Sequence, residues 1–127
     1  MYYQNDGVYG AFNCIMFDHQ SVQPKVLTLG SKFCYRPDLE PPGIVAADEA
    51  ELQACSVWGP TCDSIDCVRD IVSLPRGLQV SDWLVYENMG AYTICAASGF
   101  NGLRKSEVYY TFGHDADASM VRKLLGG

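Results

Sequence analysis

The sequence predicts a mainly β fold, a Greek-key-like barrel or sheet domain that also carries two short helices. Three observations support this class. Short runs rich in aromatic and β-branched residues recur along the 127 residues, turn-forming residues separate them, and two other stretches place apolar residues at helical spacing. With 48% hydrophobic residues the chain can bury a core, and its length fits a single domain over residues 1–127.

The first predicted strand covers VYGAFNCIMF (8–17), where alternate side chains would face opposite sides of a sheet. Five further strands are predicted: KVLTL (25–29), ACSVW (54–58), DWLVYE (82–87), AYTICAAS (91–98) and EVYYTFG (107–113). The intervening segments NDG, LPRG, ENMG and GFNG have the composition of turns. This spacing is typical of a barrel or sandwich.

Two segments have a helical pattern. In CDSIDCVRDIV (62–72), apolar residues recur at helical spacing after an N-cap candidate, Thr61 or Asp63. ADASMVRKLLGG (116–127) carries an apolar stripe and ends in glycine. Residues 30–53 are predicted to be an insertion that proline breaks, in which AADEAELQ (46–53) forms one or two helical turns.

Charge and cysteine content limit the possible functions. The net charge is -6 and no run of basic residues occurs, which argues against nucleic acid or an anionic membrane as the main partner. The chain shows neither a secretion signal nor a long apolar span, so we expect its six cysteines to be reduced thiols in a cytoplasmic protein. No CxxC or HxxxH pattern occurs, so no metal site is predicted.

Three motifs occur in an order that resembles a known family. NDGVYGAFNCIMFDH (5–19), WGPTCDSID (58–66) and DWLVYENMGAYT (82–93) resemble the C-terminal β-domain of eukaryotic ornithine decarboxylases. These enzymes are fold-type III decarboxylases that depend on pyridoxal phosphate (PLP) and are related to alanine racemase. The resemblance runs from about Tyr2 to Tyr110, with an interruption at 30–53, and implies an alanine-racemase-like C-terminal domain.

The resemblance also implies roles for seven residues. Asp18 and Asp63 would bind the distal ammonium of the substrate from opposite subunits, and Cys62 would return a proton to the α-carbon after carbon dioxide leaves. The implied supporting residues are Tyr92 as a ligand of the PLP phosphate, Tyr9 and Phe100 as walls of the substrate site, and Asp66 as the partner of a lysine on the other subunit's barrel.

The residues taken alone also permit ordinary structural roles. A cysteine such as Cys62 is often a small packing residue. Asp63 and Asp66 could cap a helix, and Asp18 could form a turn. Tyr92, within an apolar run, could belong to the core.

The family's phosphate-binding barrel needs about 250 residues, so we expect a chain of 127 residues to lack it together with its cofactor-binding lysine. We therefore expect that the chain does not decarboxylate alone. Exposed sheet edges and an exposed apolar face would favour self-association into a dimer or higher oligomer.

Three functions remain open from the sequence. The chain could be the C-terminal domain of an ornithine or diamino-acid decarboxylase, with its site completed by a separate barrel chain or another subunit. It could be a PLP-independent isomerase or cyclase with a small-molecule pocket between protomers. It could also be a non-catalytic regulator that forms mixed dimers with a full-length decarboxylase.

Overall fold

The computed structural model describes residues 1–36, 43–44 and 51–110. Nine strands, one α-helix and two 3-10 helices occur in this part of the chain, so the predicted mainly β class is confirmed. The strands are β1 (Tyr2–Tyr3), β2 (Lys25–Val26), β3 (Thr28–Leu29), β4 (Lys32–Phe33), β5 (Tyr35–Arg36), β6 (Gly43–Ile44), β7 (Leu52–Trp58), β8 (Cys67–Pro75) and β9 (Leu84–Val85). The helices are α1 (Cys14–Phe17), η1 (Ile94–Ala96) and η2 (Phe100–Gly102).

The main sheet has the order β1-β7-β8, in which β7 pairs parallel with β1 and antiparallel with β8. The pairs β2-β9, β3-β4 and β5-β6 form three two-stranded antiparallel sheets. Apolar side chains from β2, β7, β8, α1 and the connecting segments form one buried cluster, made of Phe12, Cys14, Val22, Val26, Cys34, Val57, Val68 and Leu74. Full burial of one such valine, leucine or phenylalanine side chain contributes about 1.5–3 kcal/mol.

The prediction of a helix at 62–72 is wrong, because β8 occupies its second half. The β-branched residues Val68, Ile71 and Val72 lie in this strand, which pairs with β7, and Val72 lies opposite Cys55. Short apolar runs satisfy helical and extended spacing almost equally well, and β-branched residues favour the sheet when a partner strand is present. The partner here is β7, which contains the predicted strand 54–58 and confirms it.

The prediction of a strand at 8–17 is also wrong. The Asp6 carboxylate accepts hydrogen bonds from Gly7 N at 2.8 Å and Ala11 N at 3.0 Å. These bonds close the segment into a turn, and the chain then enters α1. A local carboxylate that binds nearby backbone donors competes with a sheet for the same groups.

The remaining predicted strands are shorter than expected or absent. The strand predicted at 25–29 divides into β2 and β3 around Leu27, whose N–H donates to Trp83 O at 2.8 Å. Of the strand predicted at 82–87, only β9 is present. The prediction of a strand at 91–98 is wrong, because η1 occurs there instead. No strand occurs at 107–110 within the described residues.

Parts of other predictions lie outside the described residues: the last strand beyond residue 110, the helix at 116–127 and much of the insertion at 30–53. Within that insertion, β4, β5 and β6 form, and Leu52 and Gln53 belong to β7, so the helical turns predicted at 46–53 do not extend to these two residues. The described part of the chain contains no helix that is long and apolar enough to cross a membrane.

Asp66 joins two loops at the edge of the main sheet. Its side chain is 1% exposed, and its carboxylate accepts hydrogen bonds from Val8 N at 2.9 Å, Thr61 N at 3.0 Å and Thr61 Oγ1 at 2.7 Å. A Cβ atom on Gly7 or Gly59 would overlap this carboxylate. The two glycines therefore let the backbone close around Asp66, which explains the turn WGP at 58–60.

We expect Asp66→Ala to lower the free energy of unfolding by about 3 kcal/mol, because it leaves buried donors without an acceptor. Urea denaturation measures this change. The matched control is Asp70→Ala, since Asp70 is exposed and its carboxylate accepts only from the adjacent Ile71 N among the described residues. That control should cost less than about 0.5 kcal/mol. Equal costs for the two variants would contradict the proposed role of Asp66.

Candidate active site

Three of the predicted site residues meet at one place. The Tyr9 hydroxyl donates a hydrogen bond to Asp63 Oδ2 at 2.6 Å, and the Tyr9 ring stacks on Phe100 with ring centroids 3.9 Å apart. Tyr9 O also accepts hydrogen bonds from Ser98 N at 2.8 Å and Ser98 Oγ at 3.0 Å. The turn at 7–10 therefore holds the 98–100 segment and the β7–β8 loop together.

The β7–β8 loop orients Asp63 and presents Cys62. Asp63 Oδ1 accepts from Ile65 N at 3.1 Å, and Asp63 N donates to Thr61 Oγ1 at 3.3 Å. Asp66 N donates to Asp63 O at 3.0 Å, which closes the turn. Cys62 lies between these anchored positions and its thiol is exposed and free.

The Tyr9–Asp63 hydrogen bond favours an ionised carboxylate. Together with the bond from Ile65 N, it lowers the pKa of Asp63 below its ordinary value of 3.8. The same bond, with desolvation, raises the pKa of Tyr9 to about 12. At neutral pH Asp63 is therefore an anion beside a neutral phenol, an arrangement that can bind a cationic group.

Asp18 and Tyr92 line a different hollow, a cavity of about 660 Å³. Asp18 is exposed and lies at the C-terminal end of α1, where its N–H donates to Cys14 O at 3.1 Å. Tyr92 is 74% exposed and has a φ of 56°, in the left-handed region. The residues that line this cavity and those that line the small hollow beside Tyr9, Asp66 and Phe100 have no member in common. The single chain thus divides the predicted site residues into two groups.

Glu87, which the sequence predicts at the junction of the strand 82–87 and the turn ENMG, belongs to the wall of the larger cavity. Its carboxylate accepts hydrogen bonds from Lys25 Nζ and from the Tyr35 hydroxyl. These bonds, the one from Lys25 first, lower the pKa of Glu87 below its ordinary value. The one feature of the sequence that could have indicated a role for Glu87 in the site is its position directly before the loop that carries Tyr92.

The predicted pairing of Asp66 with a partner's lysine stays a prediction, but its placement favours an internal role. Both carboxylate oxygens accept hydrogen bonds within the chain, and the side chain is buried. The interface role of Asp66 was implied by the family resemblance, and the burial of an acid beside two glycines cannot be read from composition.

The residues present fit one end of the cofactor that the resemblance implies. Among the described residues, the Tyr92 hydroxyl makes no internal hydrogen bond and is exposed at the larger cavity, so it can donate to a phosphate oxygen. Lys25, on the same cavity, is already paired with Glu87. No group of three or more His, Cys, Asp or Glu side chains suitable for a metal occurs in the described ranges.

Comparison with known proteins places the chain in a family. Residues 1–90 match the family model described as pyridoxal-dependent decarboxylase, C-terminal sheet domain. The chain belongs to this family. The family resemblance inferred from the three motifs is therefore confirmed, and the decarboxylases of this family depend on pyridoxal.

Similar proteins include ornithine decarboxylases and an antizyme inhibitor. The chain is 48% identical over 110 residues to ornithine decarboxylase of Schizosaccharomyces pombe, covering 87% of this chain and 23% of that protein. It is 46% identical over 123 residues to ornithine decarboxylase of Panagrellus redivivus, covering 97% of this chain and 24% of that protein. It is also 46% identical over 110 residues to antizyme inhibitor 2 of Xenopus laevis, covering 87% of this chain and 20% of that protein.

Solved structures show the same fold. The arginine decarboxylase of Paramecium bursaria Chlorella virus aligns with a TM-score of 0.67 and 29% identity, over 86% of this chain and 25% of that chain. The lysine/ornithine decarboxylase of Vibrio vulnificus, complexed with cadaverine, aligns with a TM-score of 0.64 and 29% identity, over 83% of this chain and 24% of that chain. The chain thus spans about a quarter of the length of the proteins it matches.

The Tyr9–Asp63 hydrogen bond should make stability depend on pH. Because the pKa of Asp63 is lowered, its contribution is present above pH 3.8 and is lost as pH falls through the lowered value. Because the pKa of Tyr9 is raised, its contribution is present below its ordinary value of 10.0 and is lost as pH rises toward about 12. Wild type should therefore exceed Tyr9→Phe in urea midpoint at pH 7, and the difference should shrink at strongly acidic pH.

The control for this measurement is Tyr3→Phe, since the Tyr3 side chain is 69% exposed and its hydroxyl contacts only Met1 among the described residues. Its urea midpoint should follow wild type at both pH values. A difference between wild type and Tyr9→Phe that stays constant from pH 7 to strongly acidic pH would contradict an ionised Asp63 as the acceptor.

Proposed function

We propose that this chain supplies the substrate-binding carboxylates and the proton-donating thiol of an ornithine or diamino-acid decarboxylase, in a site that another chain or subunit completes. The single observation that carries the proposal is the ionised Asp63, oriented by Tyr9 and adjacent to the exposed thiol of Cys62. Family membership and the similarity to ornithine decarboxylases support it.

Asp63 suits the distal ammonium of a diamino acid. A carboxylate that stays ionised and accepts from the Tyr9 hydroxyl keeps further lone pairs for a cation. The neighbouring stack of Tyr9 on Phe100 offers an apolar wall for the methylene chain. A hydrogen bond to a charged group contributes about 1.5–3 kcal/mol, enough to select a substrate with a terminal ammonium.

The separation of Asp18 from Asp63 supports a site shared between subunits. Within one chain the two acids belong to different groups, one at the larger cavity and one beside Tyr9. A twofold symmetric dimer can place Asp18 of one subunit opposite Asp63 of the other. In such a dimer, a contact between the Asp18 surface of the first subunit and the Asp63 surface of the second is repeated with the subunits exchanged. Two carboxylates would then share one ammonium.

Cys62 is the proposed proton donor. Bound PLP would supply the electron sink that accepts the electron pair released with carbon dioxide. The Cys62 S–H bond then breaks, its proton forms the new C–H bond at the α-carbon, and the thiolate regains a proton from solvent. The anchored positions on either side of Cys62 limit where the thiol can reach. Tyr92 would hold one oxygen of the cofactor phosphate.

A second candidate function is regulation of a full-length decarboxylase by mixed dimers. The similarity to antizyme inhibitor 2 of Xenopus laevis favours it, because this identity of 46% is close to the identities with the decarboxylases. Overall identity therefore does not separate the two candidates, and the exposed thiol of Cys62 supports the catalytic one. The PLP-independent isomerase or cyclase stays a prediction.

The test of catalysis is a chimera in which this chain replaces the matched 110 residues of the Schizosaccharomyces pombe enzyme. With PLP and ornithine the chimera should release carbon dioxide. Cys62→Ala should lower kcat by roughly 100-fold or more, because the proton donor is lost. Asp63→Asn should raise KM by roughly 10-fold or more, because a charged contact is lost.

The matched control is Cys95→Ala, since Cys95 is also an exposed free cysteine. It should stay within about twofold of the unsubstituted chimera, as expected for a surface substitution. A folded chimera that binds PLP but releases no carbon dioxide would contradict the catalytic proposal and favour the regulatory one. This 127-residue chain alone should release none.

A mixture of two impaired chimeras, assayed at an ornithine concentration far below the raised KM of Asp18→Ala, tests the shared site. If Asp18 and Cys62 serve one site from opposite subunits, equal amounts of Asp18→Ala and Cys62→Ala should recover about a quarter of full activity after subunit exchange. Half of the dimers are then mixed, and one of the two sites in each mixed dimer is intact. No recovery would show that both residues come from the same subunit.

The exposed apolar side chains near Asp18 predict a dimer of the chain itself. Phe17 is 71% exposed and Tyr92 is 74% exposed, and such side chains are often covered by a partner. Sedimentation at tens of micromolar, about the range of a weak dimer, should show a species heavier than 14.0 kDa. Phe17→Asp should dissociate it, while Val80→Asp, at a 99% exposed position, should not. A single 14.0 kDa species would contradict self-association.

A further inference from the structure

Asn13 lies between the two segments that carry Asp18 and Tyr92. It is the N-cap residue of α1, and its carbonyl oxygen accepts from Met16 N and Phe17 N, both at 3.0 Å. α1 ends at Asp18. The backbone of Asn13 therefore begins the single helical turn whose other end places Asp18 on the cavity wall.

The side chain of Asn13 binds the second segment. It is 1% exposed, and Nδ2 donates to Gly10 O at 2.7 Å and to Thr93 O. Thr93 is 3% exposed, and its hydroxyl donates to Gly90 O at 3.1 Å. The bond from Asn13 to Thr93 O holds the C-terminal end of the loop 90–93, directly beside Tyr92. The bond from the Thr93 hydroxyl to Gly90 O closes the loop itself.

Packing alone does not explain an asparagine at this position. Its Oδ1 atom is buried without a hydrogen-bond partner among the described residues, and an unpaired buried acceptor costs stability. The amide is favourable there because its two N–H groups satisfy two carbonyls from separate segments, which an apolar side chain of similar size cannot do.

We propose that Asn13 is a positioning residue that couples the placement of Asp18 to that of Tyr92. The amide fixes Thr93 next to Tyr92, and the backbone of the same residue starts the helical turn that ends at Asp18. A shift at one group therefore moves the other. This inference rests on the proposed function, in which Asp18 binds substrate and Tyr92 binds the PLP phosphate.

The first experiment uses the 127-residue chain without cofactor. Asn13→Asp has nearly the same shape but replaces the two donors with acceptors that face two carbonyls. Amide NMR shifts should change in both segments, 14–18 and 90–93. The control is Gln79→Glu, which adds the same charge at an exposed side chain and should leave both segments unchanged. If 90–93 does not respond in a folded Asn13→Asp variant, the inference is wrong.

A double-mutant cycle in the chimera tests the coupling as function. Asn13→Asp should weaken PLP binding about tenfold and raise KM for ornithine severalfold, with a smaller change in kcat, because it displaces Tyr92 and Asp18 together. In a Tyr92→Phe background its effect on the PLP dissociation constant should fall below about twofold. In an Asp18→Ala background its effect on KM should fall in the same way.

Additive effects in both backgrounds would overturn the coupling and show that Asn13 acts only on stability. If Asn13→Asp does not fold, Asn13→Ser takes its place, because the shorter hydroxyl cannot donate to both carbonyls. If Tyr92→Phe itself leaves PLP binding unchanged, the proposed role of Tyr92 fails, and the NMR experiment alone decides the inference. A joint response of the two segments then supports it, and an isolated response overturns it.

Discussion

The buried carboxylate of Asp66 is the interaction on which the candidate site depends. It binds the backbone of Val8 and Thr61, and thereby joins the turn that carries Tyr9 to the loop that carries Asp63. The hydrogen bond between Tyr9 and Asp63 forms across this joint. A polar group so completely enclosed must have its hydrogen bonds satisfied, so the two loops are constrained to one relative position.

The two groups of site residues are held by different physical means. Asp63 is oriented by a network of polar bonds around Asp66, at the edge of the main sheet. Tyr92 lies in a loop whose ends are fixed by Glu87, through Lys25 and Tyr35, and by Asn13. Each group is therefore organised before any partner arrives, which lowers the entropy that assembly of a shared site would cost.

Sequence patterns predicted the fold class correctly, but they predicted the positions of individual elements and their hydrogen bonds less well. The class of fold and the strand at 54–58 followed from β-branched residues and turns. The helix at 62–72 failed because the pairing of β8 with β7 is a long-range contact that no local spacing encodes. The meeting of Tyr9, Asp63 and Phe100 came from family resemblance, since residues so far apart in sequence share no periodic pattern. Asn13 and Glu87 were missed because their roles are hydrogen bonds to distant segments.

The backbone conformation of Tyr92 lowers stability, while its side chain provides a phenol at the larger cavity. Its φ of 56° lies in the left-handed region, which costs a residue with a side chain about 1–2 kcal/mol and costs glycine almost nothing. Selection for stability alone would therefore favour glycine at position 92 and remove the phenol from the cavity. A tyrosine in this conformation is a stability cost retained in the fold, and variants chosen only for resistance to heat would tend to lose the Tyr92 phenol, and with it the proposed phosphate contact, first.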